Sequence, residues 1–285
     1  MSELSPISHT GSLPRVVVTR PAAEARQWVE RLRAAGMDAV ALPLIEIASA
    51  ADPQPVLAAW QRLGDYAAAM FVSSNAVAQF FKEKKDFTGV EWSLSAMHTR
   101  AWSTGPGTSG ALLQAGLSPA QIDAPADDAP QFDSEALWAR VRTQVRAGQR
   151  VLIVRGSDAA GQGAGRDWLA GQLADAGVQV DRLVAYRRLA PVLAGDALAL
   201  AREAATDGSV WLFSSSEAIS NLVGQLPAQD WHPARAVATH HRIALAARRA
   251  GFGVVCESRP AVEAVVGSIK SLHESSLATR PPCGT

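Results

Sequence analysis

Residues 71–81 read FVSSNAVAQFF, and 142 residues after Phe71 the chain nearly repeats itself as FSSSEAISNLV, residues 213–223. In each copy an apolar strand end runs into a serine cluster and then into a short helix. Val77, Phe80 and Phe81 make the apolar stripe in the first helix, and Ile219, Leu222 and Val223 make it in the second. Two more pairs occur in the same order. RVVVTRPAAEARQWVERLRAAG, from Arg15, is answered by RVLIVRGSDAAGQGAGRDWLAGQLADAG, from Arg150, and AWSTGPGTSGALLQAGL, from Ala101, by AVATHHRIALAARRAGF, from Ala236. One such match is easily accidental; three in register indicate an internal duplication of a β/α unit of roughly half the chain.

The first block shows what the unit is. The β-branched run Val16-Val17-Val18 stops at Thr19-Arg20-Pro21, and Ala25, Trp28, Val29, Leu32 and Ala35 then share one helical face before Gly36 ends the helix. Strands alternating with helices over short links predict mostly parallel sheets covered on both faces, hence two doubly wound α/β domains. Further helices are expected over DSEALWARVRTQV, capped by Asp133 or Ser134 with Leu137, Val141 and Val145 as stripe, and after Pro260, where Val262, Val265, Val266 and Ile269 repeat. Two extended, proline-marked segments, ALPLIEIAS near Pro43 and DRLVAYRRLAP ending at Pro191, lie between the sets, and either suits a linker.

Composition narrows the partners. With 27 Lys plus Arg against 27 Asp plus Glu and no long basic run, general attraction to nucleic acid is not expected. Cys256 and Cys283 have no ligand-like spacing, which argues against a disulfide framework and a zinc cluster and fits a reducing cytoplasm. Nothing in the polar N-terminus resembles an export signal or a membrane span, so a soluble protein with loose ends is expected, HESSLATRPPCGT being the C-terminal tail.

In open parallel sheets ligands bind beyond the carboxyl ends of the strands, where helix starts present unpaired N–H groups. The blocks place small polar residues there: Thr19-Arg20, Ser73-Ser74-Asn75, Thr104 to Thr108 with Gly105, Arg155-Gly156, Ser214 to Ser216 and Thr239-His240. Each of these hydroxyls also suits simple helix capping. Their recurrence in both halves predicts two facing rims of donors, suited to a ligand with several anionic groups. RGSDAAGQGAGRD lacks the GK[ST] ending of a phosphate loop and the GxGxxG arrangement, His240-His241 has no acidic or cysteine companions, and no GxSxG elbow occurs. Tyr186, flanked by Arg187 and Arg188 in the second extended segment, is the one side chain marked for chemistry, against the plainer reading of a tyrosine packed beside a linker.

From about Arg15 to Leu272 the chain resembles the uroporphyrinogen-III synthase family of tetrapyrrole (heme, siroheme, cobalamin) biosynthesis. The resemblance rests on VVVTRP, LPLIEI, FVSSNAV, TGPGTSGALLQAGL, VLIVRG with GRDWLAGQLADAGVQVDRLVAYRR, FSSSEAISNL and ALAARRAGFGVV in order. It implies a segment-exchanged duplication: residues 14–43 with 190–273 as one domain, 49–183 as the other, 44–48 and 184–189 as a two-stranded linker, and 1–13 and 274–285 as flexible tails. It also implies a cofactor-free, metal-free monomer that cyclises hydroxymethylbilane with inversion of the last ring and loss of water. Tyr186 matches the family tyrosine held to help the hydroxyl leave. Ser73, Ser74, Asn75, Gly105 and Thr108 match the binding rim of one domain with Arg155, Gly156 and Arg166, and Thr19, Arg20, Ser214, Ser215 and Thr239 that of the other. The block ATHHRIA departs from the family's Gly-Pro with threonine, and the glycine-rich loop is longer than expected. A transient contact with hydroxymethylbilane synthase, no nucleic acid and no membrane complete the expectations. The rivals are a two-lobed binding or sensor protein, for which no export signal or helix-turn-helix is found, and a nucleotide-dependent oxidoreductase, whose fingerprint is missing.

Overall fold

The computed structural model describes residues 13–84, 98–126, 129, 131–158, 161 and 167–278. In chain order its elements are β1 (Val16–Val18), α1 (Ala22–Ala34), β2 (Ala39–Ala41), β3 (Glu46–Ser49), α2 (Gln54–Gln61), β4 (Ala68–Phe71), α3 (Ser74–Lys84), β5 (Arg100–Ser103), α4 (Pro106–Gln114), β6 (Ile122–Asp123), α5 (Ser134–Val141), β7 (Arg150–Ser157), α6 (Trp168–Asp175) and β8 (Gln179–Leu189). There follow α7 (Gly195–Ala204), β9 (Val210–Phe213), α8 (Ser216–Gln225), β10 (Arg235–Ala238), α9 (His241–Arg249), β11 (Val254–Glu257) and α10 (Val262–Ala278). The chain divides into two compact units, one made of residues 1–46 with 190–285 and the other of residues 47–189.

The discontinuous unit holds a five-stranded sheet in the order β11-β10-β9-β1-β2, parallel throughout. Val16, Val17 and Val18 are all fully buried, as a strand covered on both faces demands. Val16 and Val18 pack with the α1 residues Ala25, Trp28, Val29 and Leu32 and with Val262, Val265 and Ile269 of α10. The opposite face carries an aromatic cluster in which Trp211, Phe213, Trp231 and Phe252 meet edge-on or stacked, with centroids between 5.2 and 6.3 Å apart. Gly36 follows α1 at φ +79°, the left-handed turn that the Ala-Gly stop predicts.

The continuous unit holds a six-stranded sheet in the order β3-β8-β7-β4-β5-β6, with β8 through β6 parallel. Alternate residues serve alternate faces. Ala69, Phe71, Leu152 and Val154 pack under α2, α3 and α4, while Ala68, Met70, Val151 and Ile153 pack under α5 and α6. These are two doubly wound parallel sheets, as the block pattern predicts.

Local expectations need correction in three places. Ala35 is exposed and caps α1 rather than joining its buried stripe. Helix α5 starts as expected, with Asp133 accepting from the Ala136 N–H, but ends at Val141; Val145 lies beyond it and the turn that follows, partly buried against the core. Helix α10 continues through Ala278, into the stretch assigned to a tail, because its apolar repeat anchors the first turns and nothing in HESSLA breaks the helix. The two extended segments are strands lying side by side: residues 184–189 are the second half of β8, and β3 is hydrogen-bonded beside it.

Candidate functional site

In the continuous unit, β4 leads by way of α3 to β5 on one side, while β7 returns on its other side, so the winding direction reverses between β4 and β7. That reversal is where open α/β sheets leave a crevice at their carboxyl edge. Ser73 follows β4 there, and Arg155, Gly156 and Ser157 end β7.

Tyr186 is brought to the same place by an irregularity. Along β7 and β8, Arg155 is level with Val184 but Gly156 with Tyr186, so Ala185 is an extra residue, a β-bulge. Without it Tyr186 would alternate to the face opposite Ala185; with it, Leu183, Ala185 and Tyr186 all enter one core cluster. The tyrosine is 3% exposed, and its hydroxyl lies 3.0 Å from Ser73 Oγ. Gly156 supplies the room: a Cβ on it would lie 2.5 Å from Tyr186 Cζ and 2.6 Å from Cε2. Ser73 Oγ also accepts from the Ala76 N–H at 3.1 Å, tying the pair to the first turn of α3.

The structure brings these three sequence-predicted residues together and places the rest around them or elsewhere. Ser74 and Asn75 open α3 half-buried beside Ser73. Gly105 stands at the N-cap of α4, where a Cβ would lie 3.0 Å from Phe132 Cβ, and takes part in a hydroxyl cluster in which Ser103 donates to its carbonyl and Ser109 donates to Ser103. Thr108 is turned inward, 6% exposed, so its side chain does not line an open surface. Arg155 points to Asp167, which accepts from Nη1 at 2.9 Å and also lies 3.6 Å from Arg182. Arg166 lies outside the described residues.

In the discontinuous unit the predicted residues also sit at the carboxyl edge. Thr19 is buried and its hydroxyl donates to Leu212 O at 2.8 Å, so it joins β1 to β9. Arg20 bonds Glu24 at 3.1 Å and lies 4.6 Å over the Trp28 ring; burial lowers its affinity for a proton, which Glu24 partly restores. Ser215 caps α8 by accepting from the Glu217 N–H, Ser214 is half-buried beside it, and the Thr239 N–H donates to Phe213 O. His240 caps α9 through Nδ1, which accepts from the Arg242 N–H. Capping therefore accounts for Ser73, Ser215 and His240, but Ser73 alone also holds a phenol.

Asp167 and the Ser103–Ser109 pair were not anticipated. Asp167 follows the glycine-rich loop, and only the position of Arg155 identifies it. No sequence signal marks the bulge that aims Tyr186. Among the described residues no helix is long and apolar enough to cross a membrane.

Residues 26–267 match the family model described as uroporphyrinogen-III synthase HemD. The chain belongs to the uroporphyrinogen-III synthase family. Its fold is similar to a crystal structure of uroporphyrinogen-III synthetase from Helicobacter pylori, at 14% identity over 93% of this chain and 100% of that one, with a TM-score of 0.56. It is likewise similar to a mutant uroporphyrinogen III synthase from the extremely thermophilic bacterium Thermus thermophilus, at 16% identity over 94% of this chain and 100% of that one, with a TM-score of 0.52.

Proposed function

We propose that the chain is a cyclising hydro-lyase that converts hydroxymethylbilane to uroporphyrinogen III, and that Tyr186 is the group that assists departure of the hydroxyl. The observation that carries this reading is the phenol fixed at the carboxyl edge by Ser73 and Gly156, in a chain of this family. The phenol O–H protonates the hydroxyl on the first ring as its C–O bond breaks, the bonding pair leaving with water. An azafulvene cation and a phenolate remain. The last ring attacks through its substituted carbon, the spiro intermediate fragments and recloses, and the proton lost on closure returns to the phenolate. The net change is loss of one water.

The binding rim suits such a substrate. Hydroxyls and a few arginines at strand ends hold carboxylates without burying many cations at once. Arg20, Ser214, Ser215 and Thr239 are assigned to the rim of the discontinuous unit, and Ser74, Asn75, Gly105 and Arg155, with Arg166 from the sequence, to that of the continuous unit; Thr19, buried and bonded to Leu212, belongs to the fold. Closure without an enzyme gives the non-inverted isomer, so the protein's task is chiefly to position the last ring. The chain works as a cytoplasmic monomer and receives its labile substrate from hydroxymethylbilane synthase.

Freshly made hydroxymethylbilane given to the purified protein should yield mostly type III isomer after oxidation and chromatography. Tyr186→Phe should lower turnover by at least about tenfold, a modest part of what general acid catalysis supplies, while retaining the thermal melt. An isomer ratio equal to that in buffer rejects the activity; unchanged turnover in Tyr186→Phe rejects the role of the phenol. A two-lobed binding protein would give a ligand-dependent melt with no isomer change.

A further inference from the structure

We infer that Ser73 is a positioning residue for Tyr186, orienting the phenol and answering the charge that forms on it, rather than a hydroxyl that holds a substrate carboxylate. The inference rests on the role given to Tyr186 above. A serine hydroxyl has one proton and two lone pairs. In Ser73 one lone pair accepts from the Ala76 N–H at 3.1 Å, and the oxygen stands 3.0 Å from the Tyr186 oxygen. The serine is thus fixed by the start of α3, whose amide groups favour negative charge nearby. Its remaining proton is well placed to turn toward the phenol oxygen.

In the ground state either hydroxyl can donate to the other. Once the phenol proton has passed to the departing hydroxyl, only one arrangement is left: Ser73 donates to the phenolate. That hydrogen bond strengthens as the bond breaks, which is the property that accelerates a step instead of merely tightening binding. The ring is pressed against Gly156 and buried in one core cluster with Leu183 and Ala185, which restrains it beside this partner. A carboxylate-binding role would instead require the Ser73 proton to point to substrate, in competition with the phenol.

The test is a kinetic cycle of Ser73→Ala, Ser73→Thr, Tyr186→Phe and Ser73→Ala/Tyr186→Phe, each first shown by its melt to be folded at the assay temperature. Ser73→Ala should lower kcat roughly tenfold with KM for hydroxymethylbilane within about twofold of wild type. Ser73→Thr, which keeps a hydroxyl, should recover at least half of the lost kcat. The double variant should be no slower than Tyr186→Phe alone. A raised KM with unchanged kcat in Ser73→Ala, failure of threonine to recover activity, or losses that multiply in the double variant would each overturn the inference while leaving Tyr186 in place. Wild-type kcat in Tyr186→Phe overturns the reading of Tyr186 and this inference together.

Discussion

Gly156 is chosen by its neighbour and not by its backbone, since it belongs to an ordinary strand segment and is absent from the left-handed positions. Any side chain there meets the Tyr186 ring at under 3 Å. Gly156→Ala should therefore cost about 1–3 kcal/mol through overpacking and reduce turnover by displacing the phenol from Ser73. Trimming the ring should relieve the clash, so Gly156→Ala/Tyr186→Ala should be more stable in urea than the two single losses added together. Simple additivity would show that the ring does not determine the glycine. The residues were legible to different degrees. Serine clusters at strand ends announce helix starts, and Tyr186 stands out as one of two tyrosines. No spacing in DRLVAYRRLAP reveals that Ala185 is skipped in the pairing with β7, because a bulge is a property of two strands.

Among the elements, β7 and β8 carry a second polar cluster at their amino ends, far along both strands from Tyr186. Tyr66, just before β4, donates to Asp181 Oδ2 at 2.6 Å, and Arg150 donates to the same carboxylate while its guanidinium lies 5.6 Å over the Tyr66 ring. Burial and the adjacent carboxylate push the Tyr66 phenol up to about 12. Burial acts to raise Asp181 too, but the hydrogen bonds from Tyr66 and Arg150 outweigh it and hold that carboxyl below its usual range. The two shifts act at opposite ends of the pH scale. The folded phenol keeps its proton more tightly than the unfolded one, so its contribution is complete below the ordinary tyrosine value near 10 and disappears as pH rises toward about 12. The contribution of Asp181 is complete above the ordinary aspartate value and is lost as pH falls through its depressed folded value. Urea unfolding across pH should show both declines, and Tyr66→Phe should flatten the alkaline one. An unchanged alkaline decline in that variant would place its source elsewhere. Helix starts and glycine stops were readable in these elements because they depend on neighbours in sequence, as at Asp133 and Gly36. The early end of α5 was not, since Val145, beyond the turn that follows Val141, still packs partly buried against the core.

For the whole molecule the consequential fact is connectivity. The six-stranded sheet draws every strand from residues 46–189, whereas the five-stranded sheet needs residues from both ends of the chain. The fragment 47–189 should therefore fold by itself, with a cooperative urea transition and the circular dichroism of an α/β protein. A fragment lacking a cooperative transition would mean that its core needs the flanking segments. The matched sequence blocks predicted two sheets, because each block names its own strand and helix. Their allotment to units follows from pairing across nearly 200 residues, as in Val16 with Val210, a relation that local pattern does not encode. During synthesis this arrangement sets a timetable. Strand β1, three buried valines between β2 and β9, leaves the ribosome well before β9 and must wait for Val210, about 10–40 s later at the usual pace of about 5–20 residues per second. Meanwhile the intervening sheet can close. Nascent chains stalled after β8 but before β9 has emerged should be protease-resistant in residues 47–189 and cleavable in the β1-α1-β2 segment, making that segment the natural client for a chaperone.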